Sequence, residues 1–173
     1  MELLDVYNDF GEPTGKVVPR GTPNSEFGKG EHIGVAQIFI ENKKGEYLIE
    51  RSSKDTGYKY LPVGGHLIAG EKPLDGIIRE TKEEIGLDIS KEDLHYVGFF
   101  NEEGDFPVRF IYYLRKDLDL SDLKLQLGEV SDVSYKSVLD ITYMSANGYM
   151  DPVHKKIIVE VLNHSFKVNK RYR

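Results

Sequence analysis

Apolar positions follow two rhythms along this chain, and the switch between them marks the predicted elements. Residues 33–40, IGVAQIFI, are apolar almost without a break, which predicts a buried central strand. Residues 2–8, ELLDVYN, are half apolar and predict a first strand. The turn DFGEPTGK follows, and Lys16 to Pro19 continues as an edge strand. Arg20 to Gly30 is a polar, glycine-rich connection. After the hairpin turn ENKKGE, the stretch YLIERSS predicts another strand, with Leu48 and Glu50 on one face and Ile49 and Arg51 on the other. Ser52 to Tyr60 is a polar loop, and LPVGGHLIAGE begins a second one. Further on, HYVGFFNEEG and FPVRFIYYL predict an antiparallel hairpin joined by NEEGDF. Tyr112 and Tyr113 alternate faces there, so only one of them can line a pocket. VSYKS predicts a last short strand.

Between Lys72 and Glu84 the period becomes helical. Leu74, Ile77, Ile78, Thr81 and Ile85 form one stripe that would face a core. Pro73 suits a first helical turn and Gly86 the residue just past the end. Ser90 is a candidate cap in the connector LDISKEDL. SVLDITYMS starts a second helix, and a third runs from Pro152 to about Lys167. A mixed sheet between helices, α/β in class, follows from this order.

The first helix carries the chemistry. At roughly 100° per residue, Glu84 falls about 40° to one side of Glu80 and Glu83 about 60° to the other. Three carboxylates thus crowd one face. Like charges at these spacings repel by roughly 0.2–0.5 kcal/mol per pair on an exposed helix. A solvated face balanced by lysines would explain so small a cost, but Lys72 and Lys82 point away from Glu80 and Glu84. A hard divalent cation would turn the repulsion into attraction.

Gly64 to Leu87, GGHLIAGEKPLDGIIRETKEEIGL, resembles the Nudix box, G-x5-E-x7-R-E-U-x-E-E-x-G-U, where U is a bulky aliphatic residue. Gly65, Glu71, Arg79, Glu80, Glu83, Glu84, Gly86 and Leu87 fall in register. Thr81 replaces the first U on the buried stripe, a packing compromise and not a lost ligand. The resemblance implies an α/β/α sandwich and Mg²⁺ or Mn²⁺ held by Glu80, Glu83, Glu84 and the Gly64 carbonyl. It implies that Arg79 and Glu71 fix those ligands in place. It implies hydrolysis of a pyrophosphate bond in a nucleoside diphosphate linked to another group X, with Glu83, Glu80 or Glu129 as the catalytic base. Glu129, just before VSYKS, also reads as an ordinary loop acid. Arg51 and Arg109 are candidate substrate contacts, each with a salt bridge as the alternative.

The opening of the chain resembles the isopentenyl-diphosphate-isomerase-like branch of the same superfamily through Asp5, Tyr7, Gly11, Thr14, Gly15, Lys16, Arg20 and His32. Enzymes of that type use a cysteine, and this chain has none. A non-catalytic nucleotide-binding module is the remaining alternative, which the intact glutamates disfavour.

Composition narrows the picture further. The 173 residues suit one domain, 1–173, with residues 1–30 as strand pair and connection, 64–87 as the box and 152–167 as the closing helix. A formal charge of −6 argues against a nucleic-acid polymer as partner but not against a small diphosphate. The basic end KVNKRYR reads as a solvated helix terminus. No apolar run is long enough for a membrane span, and no leader pattern opens the chain. The absence of cysteine fits the cytoplasm. Dimers are common in the resembled family, so a homodimer is compatible with this reading.

Overall fold

The computed structural model describes residues 1–102 and 106–170. Eight strands join one sheet built around the apolar run the sequence marks: Leu3–Tyr7 (β1), Pro13–Pro19 (β2), His32–Glu41 (β3), Tyr47–Ser52 (β4), Tyr60–His66 (β5), His95–Phe100 (β6), Val108–Arg115 (β7) and Val130–Lys136 (β8). β3 is the hub. It pairs antiparallel with β1 and β5 and parallel with β7, from Gly34 opposite Val108 to Glu41 opposite Arg115. β2 extends the sheet beyond β1, β6 lies beyond β7, and β4 and β8 lie beyond β5. The sheet is therefore mixed, as expected.

Strand alternation sorts side chains into two cores. Ala36, Ile38, Ile40, Leu48, Val63, Phe110 and Tyr112 face the helix Pro73–Ile85 (α1), which contributes Ile77 and Ile85. Phe39, Tyr47, Ile49, Ile111 and Tyr113 face the helices Val138–Ala146 (α2) and His154–Lys170 (α3), which contribute Ile141, Ile157 and Val161. Both tyrosines of the 112–113 pair are thus core residues on opposite faces, and neither reaches the large cleft described below. Helices on both faces of the sheet make the α/β/α sandwich. Among the described residues, no helix is long and apolar enough to cross a membrane.

α1 forms as its sequence dictates. Pro73 occupies the first turn, and Gly86 ends the helix in the left-handed region at φ 70°, its N–H donating to the Lys82 carbonyl. Thr81 is fully buried, and its hydroxyl donates to the Ile77 carbonyl at 2.7 Å, which settles a polar atom on an apolar stripe. Ile78 is only half-buried and lies outside the main cluster.

Three expectations need correction. Tyr60–His66 is a strand, not the start of a loop. Pro62, Gly64 and Gly65 are poor strand formers, but β3 and β4 offer ladders on both sides and tertiary pairing overrides propensity. Ser90 does precede a short 3₁₀ turn, but its hydroxyl bonds to the Glu92 carboxylate and caps no backbone N–H. The closing helix begins at His154, two residues after Pro152, and runs to Lys170. In the connection NEEGDF, Glu103 to Asp105 lie outside the described residues.

Most of the branch-like residues in the N-terminal hairpin are structural ties. Asp5 accepts from the Gly70 N–H at 2.7 Å, Thr14 donates to the Val6 carbonyl at 3.0 Å, and His32 lies 2.7 Å from Asp9. The hairpin thereby braces the loop that leads into α1.

Gly64 carries the tightest backbone approach in the sheet. It sits opposite Gln37 at φ 149°, and a Cβ built there would lie 2.0 Å from the Ala36 carbonyl oxygen. Gly64→Ala should cost about 2–5 kcal/mol, since strain and overpacking add. Urea unfolding checks this; a variant as stable as the parent would contradict the register.

Candidate active site

A cleft of about 410 Å³ opens where β5 leads into the loop before α1. Its acidic wall is assembled by one side chain. Arg79 Nε and Nη2 donate to the two oxygens of Glu71 at 2.8 and 2.9 Å, and Nη2 also donates to the His66 carbonyl at 3.0 Å. Nη1 donates to Glu80 at 2.8 Å and to Glu83 at 3.1 Å. These contacts match the five N–H donors of a guanidinium. The hydrogen bond to Glu71, the first of several causes, holds Arg79 well above its usual basicity. Arg79 thus ties Glu71 to the acids of the helix face, through a bidentate, charge-assisted pair.

Glu80, Glu83 and Glu84 all line the cleft, as does Gly64. Their environments differ. Glu83 is about half exposed, Glu80 is mostly covered, and Glu84 is buried. Glu84 accepts from the Gly64 N–H at 2.9 Å, which fixes the box helix to the strand beside it. Gly65 makes room: a Cβ there would lie 2.6 Å from the Glu80 carboxyl carbon.

Glu50 is a site residue that the sequence reading did not choose. It shares a strand face with Leu48, so it points towards α1, where its carboxyl meets that of Glu84. Burial, reinforced by the Glu84 charge, pushes Glu50 up to about 10. Burial also raises Glu84, to about 7, against the pull of the Gly64 N–H. Glu80 is raised too, mainly by burial. One Glu50 oxygen is buried with no hydrogen-bond partner among the described residues. The sequence offered an acid on one face of an apolar strand, and the layering of the sheet makes that face the inward one.

Arg51, chosen instead of Glu50, does not line the cleft. Alternation turns it to the other face of β4, where it is exposed. Arg109 does line the cleft, buried, and its charge is met by Asp151 at 2.9 Å. That partner comes from the loop before α3 and not from a neighbouring strand. Glu129 reaches the cleft mouth, paired with Lys54 at 2.6 Å. The loop 52–60 supplies Ser52, Lys54, Thr56, Gly57 and Tyr58 to the same mouth. From the other expected loop, Phe106 lines a neighbouring hollow of about 300 Å³. Gln37, Asp151 and His154 also line the main cleft and were not anticipated.

A divalent cation fits the donor set here. Hard oxygen donors line the cleft, one carboxylate oxygen lacks a partner, and burial holds the adjacent Glu50 and Glu84 carboxyls against ionisation. Among the described residues no three such side chains are grouped closely enough to hold a metal ion, and Arg79 Nη1 bonds both Glu80 and Glu83.

The NUDIX domain family model matches residues 30–160. An uncharacterized Nudix hydrolase of Listeria innocua is 31% identical over 156 residues, which span 88% of this chain and 89% of that protein. Among solved structures, DR0079 from Deinococcus radiodurans superimposes with a TM-score of 0.71 at 19% identity, over 92% of this chain and 99% of that one. A bifunctional NMN adenylyltransferase/ADP ribose pyrophosphatase from Francisella tularensis, complexed with AMP and a manganese ion, matches with a TM-score of 0.60 at 18% identity, over 77% of this chain and 42% of that one.

The raised Glu50 sets a pH dependence. In the fold this carboxyl keeps its proton where the unfolded chain, with an ordinary value of 4.5, has released it. Its contribution to stability is therefore complete below about 4.5 and is lost as pH climbs towards about 10. Glu50→Gln should match the parent at low pH and exceed it above neutrality by about 1–3 kcal/mol in metal-free buffer. Thermal unfolding across pH measures this; an equal or less stable variant at pH 8 would contradict the burial of the charge.

Proposed function

The chain belongs to the NUDIX domain family and is a Nudix pyrophosphohydrolase, and we propose that it cleaves the diphosphate bridge of a nucleoside diphosphate linked to another group X with a divalent metal. The observation that carries this reading is the Arg79-centred array of Glu71, Glu80 and Glu83, flanked by the buried Glu84–Glu50 pair. The family uses divalent metals. The manganese and AMP in the Francisella tularensis structure support the same chemistry here.

Glu80, Glu83, Glu84 and the Gly64 carbonyl would hold Mg²⁺ or Mn²⁺, and Glu50 adds a further oxygen donor. When bound, the metal supplies charge for the diphosphate and acidifies water. The chain's own residues do the rest. Arg79 keeps Glu71, Glu80 and Glu83 in one geometry. Lys54 and Arg20, both on the cleft wall, would meet the anionic phosphate oxygens. Glu80, Glu83 and Glu129 line the same space, and each offers an oxygen that can take a proton from the attacking water. The bridge P–O bond breaks, one phosphoryl group receives the water oxygen, and the departing phosphate carries the electron pair.

The substrate is a small molecule and not a nucleic-acid polymer, as the acidic surface suggests. We place the reaction in the cytoplasm, which suits a cysteine-free chain. A homodimer is compatible with this reading. We retain the kinship of the N-terminal hairpin with the isopentenyl-diphosphate-isomerase-like branch as one of plan. The isomerase reaction is not part of it, since no cysteine is present to move the proton.

A Mg²⁺-dependent screen over nucleoside diphosphates, sugar nucleotides, dinucleoside polyphosphates and prenyl diphosphates tests the reading. Silence on the nucleotides together with isomerisation of isopentenyl diphosphate would overturn it. Glu83→Gln and Glu84→Gln should each lower metal-dependent turnover by about 100-fold while the far-ultraviolet spectrum stays unchanged. Arg79→Ala should weaken Mn²⁺ binding and slow turnover by about 10–100-fold. Normal rates in all three variants would remove the acid face from the reaction.

A further inference from the structure

The sheet face that carries α2 and α3 continues onto the N-terminal hairpin, where neither helix follows it. α3 packs on β6 and β7, and α2 on β8. Ile33 has the strand parity of Phe39, which lies in the core beneath these helices. Val6 stands opposite Ile33, and Leu4 opposite Val18, so all four side chains share that face. Leu4, Val6 and Val18 form a small apolar cluster of their own, with Phe27 and Ile33 packed against it. Phe27 comes from the polar connection between β2 and β3. Its ring meets Phe106 edge-on with centroids 4.6 Å apart, and Lys16 Nζ lies 5.7 Å from its centroid. The cover is incomplete. The hollow of about 300 Å³ remains, walled by Leu4, Val18, Ile33, Phe27 and Phe106, with Thr22 and Asn24 as polar lining.

This hollow and the main cleft share a border. Arg20 and His66 line both. The His66 carbonyl accepts from Arg79 at 3.0 Å, so the border adjoins the acid face. Arg20 donates to Glu2 at 2.8 Å, and both side chains are partly exposed. A pair of that kind contributes little, so a phosphate can take the guanidinium at small cost. The walls then decide what can lie beyond it. Five of the lining side chains are hydrocarbon. The Thr22 hydroxyl already donates to the Pro19 carbonyl at 2.6 Å. A sugar seated there would leave buried hydroxyls unpaired. An uncharged apolar ring would instead remove its own surface and that of the walls from water.

We propose that the hollow beside the hairpin takes group X of the substrate, and that X is an uncharged apolar group about one ring in size. The proposal rests on the diphosphate reading of the main cleft and names the class of substrate for it. Arg20 holds the phosphate that carries X at the border. Leu4, Val18, Ile33, Phe27 and Phe106 hold X itself, and they do so by burial and shape without a specific hydrogen bond.

Titration calorimetry in metal-free buffer tests this without requiring turnover, with the β-benzyl, β-methyl and β-glucosyl esters of ADP and of UDP as probes. The benzyl ester of either nucleotide should bind at least about tenfold more tightly than its methyl or glucosyl counterpart, as burial of one ring implies. Phe27→Ala should bring the benzyl-to-methyl ratio down to below about threefold. Val18→Thr, nearly the same shape, should lower that ratio too and serves if the alanine variant does not fold. A benzyl ester bound no better than the methyl, a glucosyl ester bound as well as the benzyl, no binding of any ester, or a ratio that survives both substitutions would overturn the proposal. Hydrolysis of the same esters with Mg²⁺ is read separately. A benzyl preference in binding with no ester hydrolysed would sink the proposed reaction and leave the apolar site standing. Hydrolysis of the methyl ester with no benzyl preference would do the reverse.

Discussion

One guanidinium sets the geometry of the acid face. The carboxylates of Glu71, Glu80 and Glu83 repel one another in a small space, and a cation placed among them offsets that repulsion. Arg79 meets three of them and a backbone carbonyl at once, through a planar group that cannot lose its charge at working pH. It occupies that place because it lies one turn from Glu83 on the same helix and faces Glu71 from the loop before it. The pairing also explains why Glu71, which is not on the helix face, belongs with the others.

Glu84 and Glu50 obey a different constraint. They meet between the sheet and α1, where desolvation outweighs the single N–H that Glu84 receives from Gly64. A protein gains no stability from two ionised acids in such a place. Both line the cleft, where an added positive charge would offset the cost of ionising them. Stability and chemistry are in opposition here, and strain of this kind concentrates at functional sites.

The sheet separates two tasks. Residues alternate along β3, β4 and β7, so a strand can send an acid to one face and an amide or arginine to the other. The pair of glycines on β5 permits close approach at the point where both sets meet, of the β3 backbone at Gly64 and of the Glu80 carboxylate at Gly65. Acidic groups gather on the α1 side, and Gln37, Arg109, Asp151 and His154 gather on the α3 side. The two surfaces can therefore change independently.

Local pattern was enough to determine much of this. The apolar run 33–40, the helical stripe of Leu74, Ile77, Thr81 and Ile85, the stop at Gly86 and the shared face of Glu80, Glu83 and Glu84 all follow from spacing alone, because neighbours in a helix or strand have fixed directions. Tyr60–His66 could not be read as a strand, since its glycines and Pro62 argue against one until β3 and β4 are placed on either side. The choice between Glu50 and Arg51 was equally closed to the sequence. Both faces of that strand were known, but which one looks towards α1 depends on how the sheet is layered. Gln37, Arg109, Asp151 and His154 come from distant segments, and only the parallel pairing of β3 with β7 and the docking of α3 bring them together. Sequence fixes direction within an element; the order and stacking of elements decide which directions converge.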